Sequence, residues 1–273
     1  MDFSILGPVH VRADGVTVPL EGPKQRITLA ALLTVAGDVA PLDRLIDWLW
    51  GRRPPRSAAT IVQAHVSRLR RLLDPDHRPW GQSDVLVRRP PGYQLRIDPQ
   101  QLDSLRFEDL VSRGRAAFDG PDPRAAARLL TEGLGLWRGR ALADVAFVEA
   151  AQAEIVRLES LRMVATTTLV DVELALGHHD ELIPRLEALV REHPFDERLN
   201  GQLMIALCRV GRQADSLRHY ERVRVRLARE LHISPSPASQ RLAAAIVAQD
   251  PDLGLHQPWA FTGDGSGDGR TTI

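Results

Sequence analysis

A 34-residue recurrence in the second half of the chain constrains the fold more than any other feature of the sequence. An apolar helical stretch closes at Leu176-Gly177 and again at Val210-Gly211, and each time another helical stretch follows. Apolar residues return at matching or near-matching offsets, as Leu186 and Leu189 and then as Leu217 and Tyr220. This period is typical of tetratricopeptide repeats, in which each helix pair buries its apolar face against its neighbour.

Nearly everything after Asp103 has helical periodicity. Helices are predicted over 104–118, 123–137, 147–176, 179–192, 197–210, 213–231 and 236–249, with a third repeat unit expected around 122–137. The segment from Pro251 is polar and contains GDGSGDG, which is typical of disorder. We therefore predict an all-α, tetratricopeptide-like domain over residues 103–250 and a disordered tail over 251–273.

The first 98 residues follow a different pattern. Alternating apolar residues predict strands before residue 21, with a turn at Ala13-Asp14-Gly15. Helices are predicted from Pro23 to Gly37, from Leu42 to Trp50, and from Ala58 to Leu73 with Ser57 as N-cap. The last element is a β-hairpin around RRPPGY. Three helices followed by a hairpin predict an α+β winged helix-turn-helix over residues 1–98.

The third of these helices has one apolar and one basic face. At 100° per residue, a core stripe is formed by Val62, Val66, Leu69 and Leu73. The opposite face and its two flanks hold short or polar side chains, namely Thr60, Gln63, Ala64, His65, Ser67, Arg68, Arg70 and Arg71. Short residues let a helix approach base edges, and arginines reach guanine edges or phosphates.

The charge distribution agrees with a polyanionic partner. The whole chain is neutral, but residues 44–96 contain 11 basic and 4 acidic side chains. Arg88 and Arg89 lie at the tip of the hairpin, with Tyr93 beside them, where a wing reaches the DNA backbone or minor groove. A solvated basic face without any partner is the alternative interpretation.

Several motifs together resemble the Streptomyces antibiotic regulatory protein family. These activators join a DNA-binding domain like that of OmpR-type response regulators to a bacterial transcriptional activation domain. In the first half the motifs are FSILGPVHV from Phe3, GPKQR from Gly22, LIDWLWGRRPP from Leu45, VSRLRRLL from Val66 and PPGYQL from Pro90. In the second half they are LWRGRAL from Leu136, REHPFDERL from Arg191 and GRQADSLRHY from Gly211.

The resemblance implies a DNA-binding role for eleven residues. Arg68 would be the leading base contact, and Thr60, Gln63 and Arg71 would lie near bases or backbone. Phosphate contacts are implied for Trp50, His65, Ser67, Arg70 and Tyr93, and wing contacts for Arg88 and Arg89. Two of these have structural alternatives, since Trp50 ends an apolar helix and is often a core residue there, and Arg70 could form a salt bridge within the domain. The chain departs from the family at His232, where a glycine usually follows the helix.

The resemblance also implies what such a protein does. It would bind direct repeats near promoters of secondary-metabolite (antibiotic) genes, as a homodimer or a pair, and recruit RNA polymerase holoenzyme. The alternative is a helical-repeat scaffold for protein–protein contacts, with incidental DNA binding.

Other protein classes lack support in the sequence. The chain contains neither a Walker-type phosphate loop nor a GxSxG nucleophile elbow, so no enzyme and no cofactor is expected. A single cysteine, Cys208, excludes an internal disulfide, and the spacing of the histidines favours no metal site. No apolar run reaches the length of a membrane helix, and the first residues do not resemble a signal peptide. We expect a cytoplasmic protein associated with the nucleoid.

Overall fold

The computed structural model describes residues 1–74 and 85–250, which form two compact units. The first unit comprises Met1–Gly114 and Leu129–Ala165. The second comprises Arg115–Arg128 and the described residues from Thr166 onward. The predicted tail over 251–273 lies outside the described residues. Among the helices that the structure describes, none combines the length and the apolar character needed to cross a membrane.

The chain begins with a small antiparallel sheet of three strands. Strands β1 (Asp2–Ser4), β2 (His10–Ala13) and β3 (Val16–Thr17) follow in the order β1-β2-β3, as the alternating pattern predicts. Phe3 pairs with Val11 in this sheet, and both side chains are buried. The sheet therefore supplies an apolar face to the core of the first unit.

The winged helix follows directly. Helices α1 (Gly22–Leu33), α2 (Leu42–Trp50) and α3 (Ala58–Leu73) precede a second sheet of strands β4 (Val39–Pro41), β5 (Leu86–Arg89) and β6 (Gly92–Leu95), in the order β4-β6-β5. Helices α2 and α3 have the predicted bounds. Ser57 is the N-cap residue of α3, as predicted, although its side chain makes no capping hydrogen bond. Strand β4 was not predicted, and it turns the hairpin into a three-stranded wing.

The N-terminal sheet is fastened by residues that lie beyond position 98. The Asp103 carboxylate accepts hydrogen bonds from the backbone N–H groups of Ile5 at 2.7 Å and Leu6 at 3.1 Å. Asp144 accepts one from the N–H of Val9 at 2.9 Å and forms an ion pair with Arg26 at 2.9 Å. Three more backbone bonds join 5–7 to 138–143, with the N–H groups of Arg138, Leu142 and Ala143 as donors. The strands and the residues after position 98 thus share one hydrogen-bonded structure.

The remainder of the described chain is helical, as predicted. Two short 3₁₀ turns, Ala143–Val145 and Glu149–Ala151, interrupt a series of seven α-helices: α4 (Asp103–Asp119), α5 (Pro123–Gly135), α6 (Gln152–Ala175), α7 (His179–Glu192), α8 (Glu197–Arg209), α9 (Gln213–Arg226) and α10 (Pro237–Val247). Within the second unit α7 packs on α8 and α8 on α9. The described architecture is a winged helix followed by a helical repeat region.

The 34-residue recurrence has a structural cause. Gly177 and Gly211 both have a positive φ, of 90° and 79°, in a region that L side chains rarely adopt. In each repeat the residue after the glycine donates its N–H to a carbonyl five residues earlier, His178 to Glu173 at 3.1 Å and Arg212 to Leu207 at 2.8 Å. These bonds close the helix ends and let the chain reverse. The repeat prediction is confirmed by this shared geometry.

His232 replaces glycine at a third such helix end. A π-helical turn, Leu227–Leu231, follows α9, and His232 adopts the left-handed conformation with φ 57° and ψ 32°. Its N–H donates to the carbonyl of Leu227. This helix end therefore shares the left-handed residue but has a π-type hydrogen-bond pattern, and His232 bears the steric cost that a Cβ brings to this conformation.

Candidate nucleic-acid interface

Helix α3 has the predicted division into a buried and an exposed face. Val62, Val66, Leu69 and Leu73 are buried, which confirms the core stripe. The exposed face consists of side chains that are short, amide or basic: Thr60, Gln63, Ala64, Ser67, Arg68 and Arg71. A regular helix of 16 residues is thus held by its apolar face and presents the other face to solvent.

The arginines of this face are not engaged within the described chain. Arg68 and Arg71 have no hydrogen bond or ion pair to any residue that the structure describes, and both are exposed. A guanidinium group that has no internal partner keeps all five of its N–H donors for a ligand. The face can therefore form bidentate hydrogen bonds with guanine edges or with phosphates.

His65, which the helical pattern places on a flank of the polar face, is buried. It is 8% exposed because it follows Val62 by three residues and precedes Leu69 by four, which places it beside the core stripe. Burial lowers the pKa of its imidazole, and the nearby charges of Arg68 and Lys24 lower it further. A side chain that is buried to this extent leaves little surface for a phosphate contact. We therefore omit His65 from the proposed interface.

Arg70 and Tyr93 connect α3 to the wing. The Arg70 side chain donates from Nε to the carbonyl of Leu86 at 2.8 Å, and its guanidinium carbon lies 5.9 Å from the centre of the Tyr93 ring. Tyr93 pairs with Arg88, beside the hairpin tip as predicted, and it is only 6% exposed. Among the described residues, a backbone hydrogen bond and a cation–π contact, and no salt bridge, hold Arg70 within the domain. Both residues position the wing against α3.

The wing presents its arginines where the hairpin turns. Arg88 and Arg89 end β5 and are exposed, opposite Tyr93 and Gly92 of β6. Neither arginine has a partner among the described residues. The wing thus adds two unpaired positive charges to the same winged helix that carries the α3 arginines.

Trp50 and Lys24 form a contact that the sequence analysis did not identify. Trp50 is half-buried, and the Lys24 ammonium lies 4.9 Å from the centre of its ring. Lys24 also acts on the pKa of His65, so its charge is close to α3. Lys24 is the only lysine of the chain and lies within the GPKQR motif, but no local pattern predicts its contact with Trp50. We add Lys24 to the candidate interface.

Comparisons with known proteins agree with this geometry. Residues 18–95 match the family model described as "Transcriptional regulatory protein, C terminal", and residues 102–247 match "Bacterial transcriptional activator domain". The chain is 35% identical to the regulatory protein DnrI of Streptomyces peucetius over 262 residues, which is 94% of this chain and 96% of DnrI. It is 41% identical to AfsR of Streptomyces coelicolor over 92% of its own length, but spans only about a quarter (24%) of AfsR.

A solved structure supports the same assignment. The structure of Mycobacterium tuberculosis EmbR in complex with a low-affinity phosphopeptide matches with a TM-score of 0.88 and 35% sequence identity. The match covers 92% of this chain and 65% of the EmbR chain. Two domain models in the same order, together with near-complete coverage of DnrI, identify the family. The chain belongs to the Streptomyces antibiotic regulatory protein family of transcriptional regulators.

Proposed function

We propose that this protein is a sequence-specific DNA-binding activator that recruits RNA polymerase at promoters of secondary-metabolite genes. One observation carries the proposal. The exposed face of α3 and the tip of the wing together present four arginines, Arg68, Arg71, Arg88 and Arg89, without any partner in the described chain. An α-helix of this kind fits the major groove, and a basic hairpin reaches the adjacent backbone or minor groove.

The proposed contacts are of two kinds: those to base edges, which select the sequence, and those to the phosphate backbone, which anchor the protein. Arg68 is assigned to a base edge, with Thr60, Gln63 and Arg71 near bases or backbone. Ser67, Lys24 and Trp50 are assigned to the phosphate backbone near α3, and Arg88 and Arg89 to the backbone near the wing. The basic excess over residues 44–96 supports this division, because phosphate contacts supply most of the affinity.

Replacing Arg68 tests the assignment to a base edge. Arg68→Ala is expected to weaken binding to the preferred site by about 1–3 kcal/mol and to relax selection at one base position. Binding to random duplex should weaken much less, because the base contact is absent there. The measurement is the dissociation constant on selected and on random DNA at one fixed salt concentration.

A matched control for Arg68 is Arg113→Ala. Arg113 is an exposed arginine on α4, where it pairs with Asp109, and it lies outside the winged helix. Its replacement removes the same charge and should leave site preference unchanged. Equal loss on selected and random DNA for Arg68→Ala would instead assign Arg68 to a phosphate.

Replacing both wing arginines tests the anchoring role. The variant Arg88→Ala with Arg89→Ala should bind every duplex more weakly. It makes fewer phosphate contacts, so its binding releases fewer counterions from the DNA. The slope of log affinity against log salt should become shallower by about 2. A slope equal to that of the unchanged protein would show that the hairpin tip does not contact DNA.

The activator role is tested by transcription rather than by binding. DNA fragments selected by the purified full chain are placed upstream of a promoter, as direct repeats about one helical turn apart, so that two copies bind the same face. With RNA polymerase holoenzyme present, transcript yield should rise with the unchanged protein and not with Arg68→Ala. Binding to these repeats at full occupancy without a rise in transcripts would contradict polymerase recruitment.

A further inference from the structure

The second unit contains an open cleft that the DNA-binding proposal does not use. It lies among α7, α8 and α9 and has a volume of about 600 Å³. Its floor is apolar, formed by the buried side chains of Val190, Leu203, Leu207 and Val223. Sites for small molecules typically measure roughly 300–1,000 Å³ and are lined mainly by apolar groups. The cleft has the size of such a site and an apolar floor, but most of its exposed lining is polar, so its rim would dominate recognition of a ligand.

The rim of the cleft is rich in arginine. Four exposed arginines line it, Arg191, Arg212, Arg222 and Arg226, against three carboxylates, Glu187, Asp215 and Glu230. Asp215 is already bonded to Arg212 at 2.8 Å and to Arg218, and Arg226 lies 3.9 Å from Glu230. Within the described chain, Arg191 and Arg222 have no carboxylate partner. Positive charge therefore exceeds negative charge around an apolar floor.

A chain of hydrogen bonds holds Arg222 without neutralising it. The Asn200 amide donates from Nδ2 to the carbonyls of Pro194 at 3.2 Å and Asp196 at 2.7 Å, so its Oδ1 can only accept. His219 must then donate from Nε2 to that oxygen, at 2.8 Å, and its Nδ1 is left to accept from Arg222 Nη2 at 3.4 Å. The imidazole in this arrangement is neutral. It orients Arg222 and leaves the guanidinium charge uncompensated.

The charges of Arg222 and Arg226 act on His219 at this wall of the cleft. His219 is 7% exposed, and burial is the main reason that its pKa falls to about 4. The charges of Arg222 and Arg226 lower the pKa further. A positive potential that disfavours a protonated imidazole favours a bound anion at the same place.

We propose that this cleft binds a small amphipathic monoanion, an apolar molecule that carries one carboxylate. Arg191 and Arg222 would bind the carboxylate, and the apolar floor would contact the apolar part of the ligand. A single negative charge fits because the lining arginines outnumber the carboxylates by one. The proposal places an effector site in the activation domain. It does not depend on the DNA contacts proposed for α3.

Calorimetric titration of the full chain with sodium octanoate and with 1-octanol at pH 7.5 tests the proposal. Octanoate should bind about tenfold more tightly than the neutral alcohol, because only octanoate forms charge-assisted hydrogen bonds with the arginines. The variant Arg191→Gln with Arg222→Gln should lose about that tenfold difference for octanoate and bind octanol unchanged. Arg191→Gln alone should show part of the loss, and it disturbs no described hydrogen bond.

The matched control is Arg224→Gln with Arg229→Gln. Both arginines are exposed near the end of α9, and neither lines the cleft. This control therefore loses the same net charge as the variant Arg191→Gln with Arg222→Gln. Its octanoate affinity should equal that of the unchanged protein. Equal loss in both double variants would reduce the effect to net charge and overturn the proposal. Absence of octanoate binding, or equal affinity for octanoate and octanol, would overturn it as well.

Discussion

Asp103→Ala is expected to lower the free energy of unfolding by about 2–4 kcal/mol, although the residue lies outside the winged helix. The replacement leaves the N–H groups of Ile5 and Leu6 without acceptors, and both residues are fully buried, so water does not reach them. Each orphaned buried donor costs about 1–3 kcal/mol. Burial raises the pKa of the Asp103 carboxyl, against the opposing effect of these N–H groups, so removing the carboxylate recovers part of that cost. Urea unfolding followed by circular dichroism measures the difference.

Asp109→Ala is the matched control on the same helix. Asp109 is an exposed carboxylate that pairs with Arg113 one helical turn away, a contact worth about 0.5 kcal/mol or less. If Asp103→Ala were as mild as this control, the N-terminal sheet would not depend on the carboxylate.

The role of Asp103 bears on how the DNA-binding domain can be studied. A fragment of residues 1–98 would lack Asp103, Asp144 and the backbone groups of Arg138 and Leu142 that bond to the N-terminal sheet. We expect such a fragment to be much less stable than the full chain. Tests of DNA binding therefore belong on the full chain.

The parts of the fold that sequence reasoning predicted are those specified by local pattern. The bounds of α2 and α3 follow from apolar spacing between clear breaks, and the repeat follows from two glycines 34 residues apart. Strand β4 was missed because three residues, ending in proline, carry no periodicity, and the partner β6 lies about fifty residues later. Asp103 was missed because its partners are 97 and 98 residues away.

The candidate site was predictable to the same extent. Helical periodicity assigns Arg68 and Arg71 to the exposed face and the valines and leucines to the core. Helical periodicity does not decide the burial of residues at the boundary between the two faces. There a small rotation of the helix about its axis changes which side chains are buried, as at His65. The contact of Lys24 with Trp50 joins α1 to the end of α2, and no local pattern encodes it. Such tertiary contacts decide which polar residues hold the wing and which remain for a ligand.

Gly92→Ala is expected to disrupt the wing and to lower the free energy of unfolding by about 3 kcal/mol or more. The added Cβ would collide with backbone atoms, and no flexible side chain is there to move away. A Cβ at position 92 would lie 1.8 Å from the carbonyl oxygen of Ala40 and 2.8 Å from the Cα of Pro41. Strand β4 would have to move away from β6, which breaks the pairing of Pro41 with Gly92 and the bond from Leu42 N–H to the carbonyl of Pro91.

The same displacement moves Arg88 and Arg89, because β5 pairs only with β6 in this sheet of the described structure. DNA affinity should therefore fall together with stability, and the salt slope should resemble that of the double wing variant. Urea unfolding and binding at several salt concentrations measure both effects.

Gly135→Ala is the matched control, since a Cβ there meets no atom within 4 Å and the glycine ends α5. It should leave DNA binding unchanged and stability the same or slightly higher. Near-normal stability and DNA affinity for Gly92→Ala would show that β4 does not pack on the wing at this distance.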